Sequence, residues 1–442
     1  MGLSAWKAYR ETRWALRVNP SSGNLHPTEA YLIHDGHILH YAPREHAVEE
    51  RAVLPYQHWE AFLGGHAGFL VALTSIHWRE AWKYGERAFR YCQHDVGHAI
   101  AALSVSASLF GWSLRLLPDW SDEDIAALLG VDRDDDRAGA EPERAECLAL
   151  VGPSVSWPTG DPAPLVAAAR TSTWQGRANL LSSGHDDWPV IEEVTQATKY
   201  VRPQPTQLPT SNSQSPTLNS QALYSPQVIL QRRSAVAFDA RSRLPRERFI
   251  AMLSKLNPAL PPFDALVWPP HVHLALFVHR VEGLVPGVYA YLRDTTVYNE
   301  WRSVMRPEFL WEPIDDRLFL LLPTDVTWAA NRVSCDQEIA SDGFFSLGMI
   351  ARLESALRDR GEWFYRRLFW ECGMIGQVLY LEAEVAGSRG TGIGCFYDDP
   401  VHELLGLSAH EWQSLYHFSM GMPVDDARLT TEPGYFWEVG SR

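Results

Sequence analysis

Residues 85–130, GERAFRYCQHDVGHAIAALSVSASLFGWSLRLLPDWSDEDIAALLG, and residues 361–406, GEWFYRRLFWECGMIGQVLYLEAEVAGSRGTGIGCFYDDPVHELLG, align without a gap. Gly97 falls on Gly373, an offset of 276. The same offset places Gly85-Glu86 on Gly361-Glu362, Arg90 on Arg366, Ala107 on Ala383, Gly111 on Gly387, Asp122 on Asp398 and Leu128-Leu129-Gly130 on Leu404-Leu405-Gly406. A register held that long marks an internal duplication, which has to be recognised before elements are assigned. Each copy reads as a long, mostly apolar helix, a short strand after the glycine, and a short helix with an acidic N-cap, Asp122 or Asp398, that stops at Leu-Leu-Gly.

Working outward, Ala30 to Tyr41 and Leu274 to Tyr291 are alternating or apolar runs interrupted by Gly36 and Gly287, the pattern of hairpin strands. Each copy is therefore expected to be α+β. Between the copies, Arg202 to Pro226 is dense in Pro, Ser, Gln, Asn and Thr and has little to bury, so an extended tether is expected. The chain divides accordingly into a first domain at 1–200, a linker at 201–226 and a second domain at 227–442. Within the first, Thr173 to Tyr200, with Trp174 and Trp188, reads as an arm laid on that copy.

Bulk properties agree and exclude several classes. With 442 residues, 46% of them hydrophobic, the chain can bury two cores. A formal net charge of -15 and the lack of a long basic block leave no electrostatic footprint for nucleic acid or an anionic membrane. Met1 to Thr12 lacks the apolar core of a secretory signal. Ala99 to Leu117 is broken by Ser104, Ser106, Ser108, Gly111 and Arg115, too polar for a span of ~20 apolar residues. The five cysteines form no CxxC pair and are odd in number, which argues against a disulfide framework and fits a reducing, cytoplasmic setting.

Four strings carry chemistry. Pro20-Ser21-Ser22-Gly23-Asn24, running on through Leu25-His26-Pro27-Thr28, offers two hydroxyls, an amide and a permissive glycine that can surround the polar edge of a ring system. Arg232-Arg233-Ser234 presents guanidinium forks and a hydroxyl that match a phosphate monoester. Gly390-Thr391-Gly392-Ile393-Gly394-Cys395 is a glycine-rich strand end that lets backbone amides approach a ligand, though without the G-x-G-x-x-G order of dinucleotide sites. Lys83-Tyr84, replaced by Asp359 and Arg360 in the second copy, can serve as a general acid or base. His94-Asp95-Val96-Gly97-His98 is similar to a zinc helix, but Asp stands for Glu and no third ligand is placed by spacing, so no metal is expected.

Together these residues resemble the nitroreductase superfamily and, within it, the SagB-type dehydrogenases, in a tandem form. PSSGNLHPTEAYL and WKYGERAFRY carry the likeness in the first copy. RRSAVAFD and GMIGQVLYLEAEVAG through GTGIGCFYDDPVHELLGL carry it in the second. The resemblance implies mixed sheets flanked by helices, two copies packed as an intramolecular pseudo-dimer, and one composite FMN site. Arg232 would take the phosphate, with Arg233 and Ser234 beside it. Pro20, Ser21, Ser22 and Asn24 would reach the flavin from the other copy, and Gly392, Ile393, Gly394 and Cys395 would lie at its reactive edge. Arg428, in what resembles the family's final strand after Gly421-Met422-Pro423, is a second phosphate candidate. The second site is expected to be degenerate, because the first copy has no Arg-Arg-Ser and the second shows Pro269-Pro270-His271 where the loop should be.

The resemblance further implies that Lys83 and Tyr84 handle the proton while the flavin exchanges a hydride, with azoline rings in a peptide as the substrate class. Two alternatives stay open: a reductase of nitro compounds or quinones with NAD(P)H as electron donor, and a flavin-free scaffold that binds a peptide or partner enzyme. Partners are thus a small-molecule or peptide substrate, with the chain a monomeric pseudo-dimer or a homodimer.

Overall fold

The computed structural model describes residues 1–153, 158, 160–201, 222–408 and 410–435. Most of the tether expected at 201–226 lies outside them. Two compact units emerge: Met1–Leu3, Ser21–Ser225 and Asp264–Trp268 form the first, and Ser4–Pro20, Pro226–Phe263 and Pro269–Arg442 the second.

The first unit is built on six strands in the order Ala47–Val53, His37–Ala42, Thr28–His34, Phe69–Ser75, Arg144–Gly152 and Ser113–Leu116, every ladder antiparallel. Successive side chains of a strand point to opposite faces. Ile33, Leu70, Ala72, Leu148 and Leu150 share one face and form a core with Trp59, Phe62 and Trp120. The helices Tyr56–Leu63, Asp122–Leu129 and Ala163–Thr171 cover that face. The long helix Ala88–Ser108, buried along most of its length, packs on the sheet from elsewhere along the same strands.

The second unit repeats this plan. Its main sheet runs Glu312–Pro313, Leu318–Pro323, Gly287–Tyr291, Val272–Val278, Phe345–Arg352, Trp412–Gly421 and Arg389–Ile393, the same strand order with one short strand added outside. The ladders are antiparallel, and Ser234 adds a parallel bridge to Gly390. Its long helix, Phe364–Val385, and the short helix Asp398–Leu405 fall where the offset of 276 places them. A separate sheet joins Thr430–Pro433, Leu3–Tyr9 and Thr12–Arg17, with Ala5 opposite Pro433 and Ala8 opposite Thr430. The N-terminal hairpin, from Ser4 on, is thereby part of the second unit.

Local readings hold in part. Gly36 turns the first hairpin beside Asp35, both at positive φ. Gly287, expected to interrupt the second hairpin, instead opens the strand Gly287–Tyr291. A Cβ there would overlap the Leu322 carbonyl, so close strand pairing, not a turn, requires the glycine. Gly130 and Gly406 end their helices in the left-handed conformation as expected. The N-caps differ: Ser121, one residue before Asp122, accepts the Asp124 amide at 3.1 Å, and Tyr397 precedes Asp398 without a side-chain cap. Asp122 accepts the Tyr200 amide instead.

The arm packs within the first unit. Trp174 lies against Gly130 and Trp188 against Gly85. Glu141 accepts the amides of Leu181 and Ser182, each at 2.8 Å, and Ile191 of the helix Pro189–Ala197 is buried with Ala81 and Ala88. Among the described residues no helix is long and apolar enough to cross a membrane.

Candidate functional site

In the second unit the Arg-Arg-Ser string docks on the glycine-rich strand. Ala235 N donates to Gly390 O at 3.1 Å, Thr391 Oγ1 donates to Ala235 O at 2.6 Å, and Gly392 N donates to the Tyr380 hydroxyl at 2.7 Å, which lies 3.2 Å from Ser234 Oγ. Glycine is needed here by the neighbouring strand Trp412–Gly421. A Cβ on Gly390 would stand 2.8 Å from Phe418 Cε1, and one on Gly392 2.7 Å from Tyr416 Cζ, both in rigid rings. Ile393 is buried, whereas Gly392 and Gly394 are partly open and Cys395 is exposed. The two strings that sequence reasoning assigned to one phosphate-bearing ligand are thus brought together.

The arginines divide their work. Arg232 is buried, 4% exposed, and donates from Nε to Val18 O at 2.7 Å and from Nη2 to Arg17 O at 3.2 Å. Its buried Nη1 has no hydrogen-bond partner among the described residues. Arg233 is half-buried, bonded through Nη1 to Ser4 Oγ at 3.2 Å and to the Leu230 carbonyl at 2.8 Å. Burial, then the adjacent Arg232 charge, lowers its pKa to about 10. Two cations that sequence reasoning missed join it: Arg389, at the start of the glycine strand and 2.5 Å from Asp425, and Lys7, from the N-terminal hairpin. Burial followed by Arg389, with a smaller push from Arg233, lowers the Lys7 pKa, while Asp425 opposes the shift. Arg428, by contrast, is exposed in the turn before Thr430–Pro433, paired to Asp426 at 2.7 Å and laid over the Tyr9 ring. It is not on a strand, because Asp426 accepts its amide and its guanidinium in a local turn.

In the first unit the Ser21–Asn24 loop meets Lys83-Tyr84. Pro20 ends the preceding segment, buried, and Ser22–Asn24 forms a single 3-10 turn in which Gly23 and Asn24 have φ of +59° and +61°. Ser21 Oγ accepts the His26 amide at 2.9 Å, and the His26 ring is 2.9 Å from Asn24 Oδ1. A Cβ on Gly23 would lie 2.7 Å from the Tyr84 hydroxyl and 2.8 Å from Lys83 Nζ. Any side chain there would displace both tips. Lys83 is exposed at the end of the helix Trp78–Tyr84, with Nζ 5.1 Å from the Tyr84 ring centre, and Tyr84 packs edge-on to Tyr91 at 5.0 Å.

Beneath this pair lies a carboxyl that sequence reasoning overlooked. Glu80 is fully buried, Oε1 3.4 Å from Ser21 Oγ and Oε2 without a hydrogen-bond partner among the described residues. Burial, then the nearby Asp95, raises its pKa to about 9, against weaker pulls from Ser21 and Lys83. Asp95 is the residue inside the apparent zinc-helix string, and it sits buried on the long helix. The only sequence signal for Glu80 was its place one turn before Lys83-Tyr84.

Glu80 makes the first unit pH-sensitive. Because its pKa is higher folded than unfolded, the folded state binds the extra proton, and stability falls as pH rises from about 4.5 to about 9. Glu80→Gln keeps the shape and removes the titration. The gap between variant and wild-type unfolding free energies, from denaturant titrations, is expected to widen by ~1 kcal/mol or more between about pH 5.5 and about pH 8.5. An unchanged gap would mean that Glu80 is ionised throughout.

The Nitroreductase family model matches residues 8–140 and 229–422. A nitroreductase structure from Anabaena variabilis superposes with a TM-score of 0.70 at 20% identity, covering 96% of this chain and 86% of that one, which bears on the fold. Smaller overlaps occur with the E. coli microcin synthetase McbBCD complex with truncated pro-MccB17 bound (TM-score 0.34, 19% identity, 56% of this chain and 85% of that one). A Staphylococcus epidermidis NAD(P)H:FMN oxidoreductase overlaps likewise (TM-score 0.25, 14% identity, 46% and 87%). No curated protein matches. With the family model spanning most of both units and the duplicated α+β plan on the page, the chain belongs to the nitroreductase family.

Proposed function

We propose that the chain is an FMN-dependent oxidoreductase of the SagB type that binds one FMN per chain and oxidises an azoline-bearing peptide or similar ring. The observation that carries the reading is the gathering of Lys7, Arg233 and Arg389 near enough to shift one another's pKa values beside the Arg-Arg-Ser string, with the buried Nη1 of Arg232 lacking an acceptor among the described residues. Asp425 and Glu384 offset part of this positive charge, and a phosphate dianion is a group that the remainder would bind. Gly390 and Gly392 pack against the Phe418 and Tyr416 rings, while Gly394 and Cys395 at the strand's end are partly open or exposed. These features fit FMN, with Arg232, Arg233, Ser234, Arg389 and Lys7 holding the phosphate and Gly392 to Cys395 beside the ring.

Bound FMN supplies a two-electron hydride acceptor. The chain's own residues manage the proton. In this reading Lys83 Nζ and the Tyr84 hydroxyl, gathered over Gly23, take a proton from substrate, while Ser21, Ser22 and Asn24 present polar atoms from the same loop. Burial and the nearby Asp95 raise the Glu80 pKa, and a neutral Glu80 would leave Lys83 without that carboxylate's charge beside it.

The test is the visible spectrum and released-flavin stoichiometry of the purified chain. One FMN per chain is expected. No flavin, even after incubation with excess FMN, would sink the oxidoreductase reading and leave a flavin-free binding protein. Steady NAD(P)H consumption with a quinone or nitro compound, without azoline oxidation, would favour the reductase.

A further inference from the structure

Two thiols of the second unit, 60 residues apart in sequence, have their Sγ atoms 2.7 Å apart: Cys335 and Cys395. Non-bonded heavy atoms pack at roughly 3.5–4.0 Å, so this pair is held well inside ordinary contact. The surroundings hold it from both sides. Tyr397 N donates to Val333 O at 2.9 Å, and Gln337 Nε2 donates to Cys395 O at 3.1 Å and Ser334 O at 2.7 Å. The residue before one cysteine and the residue after the other converge on a single buried imidazole. Ser334 Oγ is 3.3 Å from His417 Nδ1, and Phe396 stacks on the His417 ring at 4.3 Å and 9°. Cys335 and Asp336 both take the left-handed conformation, φ +58° and +56°, which consecutive non-glycine residues adopt only where their surroundings dictate it.

Access is selective as well. Cys395 is exposed and Cys335 partly so, whereas Cys92, Cys147 and Cys372 are buried. The duplicated fold does not require the pair, since Asp119 stands at the position aligned with Cys395 in the first copy.

We propose that Cys335 and Cys395 form a redox-active dithiol that exchanges with low-molecular-weight disulfides and, when oxidised, ties the 334–336 turn to the end of the glycine-rich strand. The thiolate of Cys395 attacks one sulfur of the small disulfide, whose S–S bond breaks and whose other half leaves as a thiolate that takes up a proton. The thiolate of Cys335 then attacks Cys395 Sγ, forming the internal disulfide and expelling the second small thiol. Two protein thiols are oxidised and one small disulfide is reduced to two thiols. The chemistry of the step needs no flavin, although Cys395 is also the residue set beside the flavin ring in the proposed function.

The experiment incubates the full chain with glutathione disulfide, blocks remaining thiols with an alkylating reagent under denaturing conditions, and maps the peptides by mass spectrometry. Two of the five thiols are expected to be lost in a Cys335–Cys395 cross-linked peptide, restored by a dithiol reductant. Cys335→Ser should instead trap glutathione on Cys395. Wild-type chain that accumulates glutathione on Cys395 without the internal link, or keeps all five thiols, would overturn the proposal.

Discussion

Arg233→Ala combined with Arg389→Ala is expected to weaken FMN binding by about 10²- to 10⁴-fold, at about 1.5–3 kcal/mol for each charge-assisted hydrogen bond removed. A flavin-fluorescence titration with the released-flavin assay measures it. Two controls separate charge from architecture. Ser4→Ala removes the Arg233 bond to Ser4 Oγ, keeps the one to the Ser4 carbonyl and leaves the cation, and should retain FMN. Arg428→Ala tests the outer candidate. A loss as large as the double variant's would place Arg428 in the anchor, and no loss would confine the anchor to the cluster around Arg233. Arg232 is a poor probe, because truncating it would leave the Arg17 and Val18 carbonyls without their donor and destabilise the unit. Retention of FMN by the double variant would overturn the phosphate assignment.

The second large effect concerns the proton. Lys83→Met with Tyr84→Phe is expected to slow oxidation of an azoline peptide by about 10²- to 10⁴-fold, the usual range for a positioned acid–base group, with flavin content unchanged. Following the bleaching of flavin absorbance in a single turnover keeps substrate oxidation apart from product release. The same variant offered NAD(P)H discriminates between the readings. If reduction of a quinone or nitro compound is the native activity and needs no such pair, that turnover stays intact while azoline oxidation is absent from wild type and variant alike. Gly23→Ala is a milder relative of this variant, since its Cβ would push on both side-chain tips from a backbone conformation that suits glycine.

Much of the fold was legible in sequence because it is local and written twice. The gapless match of 85–130 with 361–406 places both long helices, both following strands and both Leu-Leu-Gly helix ends where the structure has them. Each is specified by neighbouring residues: apolar periodicity for the helices, and left-handed Gly130 and Gly406 for the stops. The errors were also local. Ser121 took the cap expected of Asp122, a difference of one residue, and Gly287 serves a close strand pair rather than a turn, which depends on Leu322 some 35 residues on.

The strings that carry chemistry were readable as types of residue, and the sequence by itself determined that Arg-Arg-Ser, the glycine strand, the Ser-Ser-Gly-Asn loop and Lys83-Tyr84 would be present. Only the tertiary structure decided which of them meet and in what state. It turns Arg232 inward onto the carbonyls of Arg17 and Val18, and draws Lys7 and Arg389 from opposite ends of the chain to Arg233. It closes Ser22–Asn24 over Lys83 and Tyr84, buries Glu80 so that its pKa rises, and brings Cys335 to Cys395. The reason is physical. Helix periods and turn residues act over a few positions, whereas charge crowding, desolvation and sulfur contact depend on what distant segments place alongside, which no local pattern encodes.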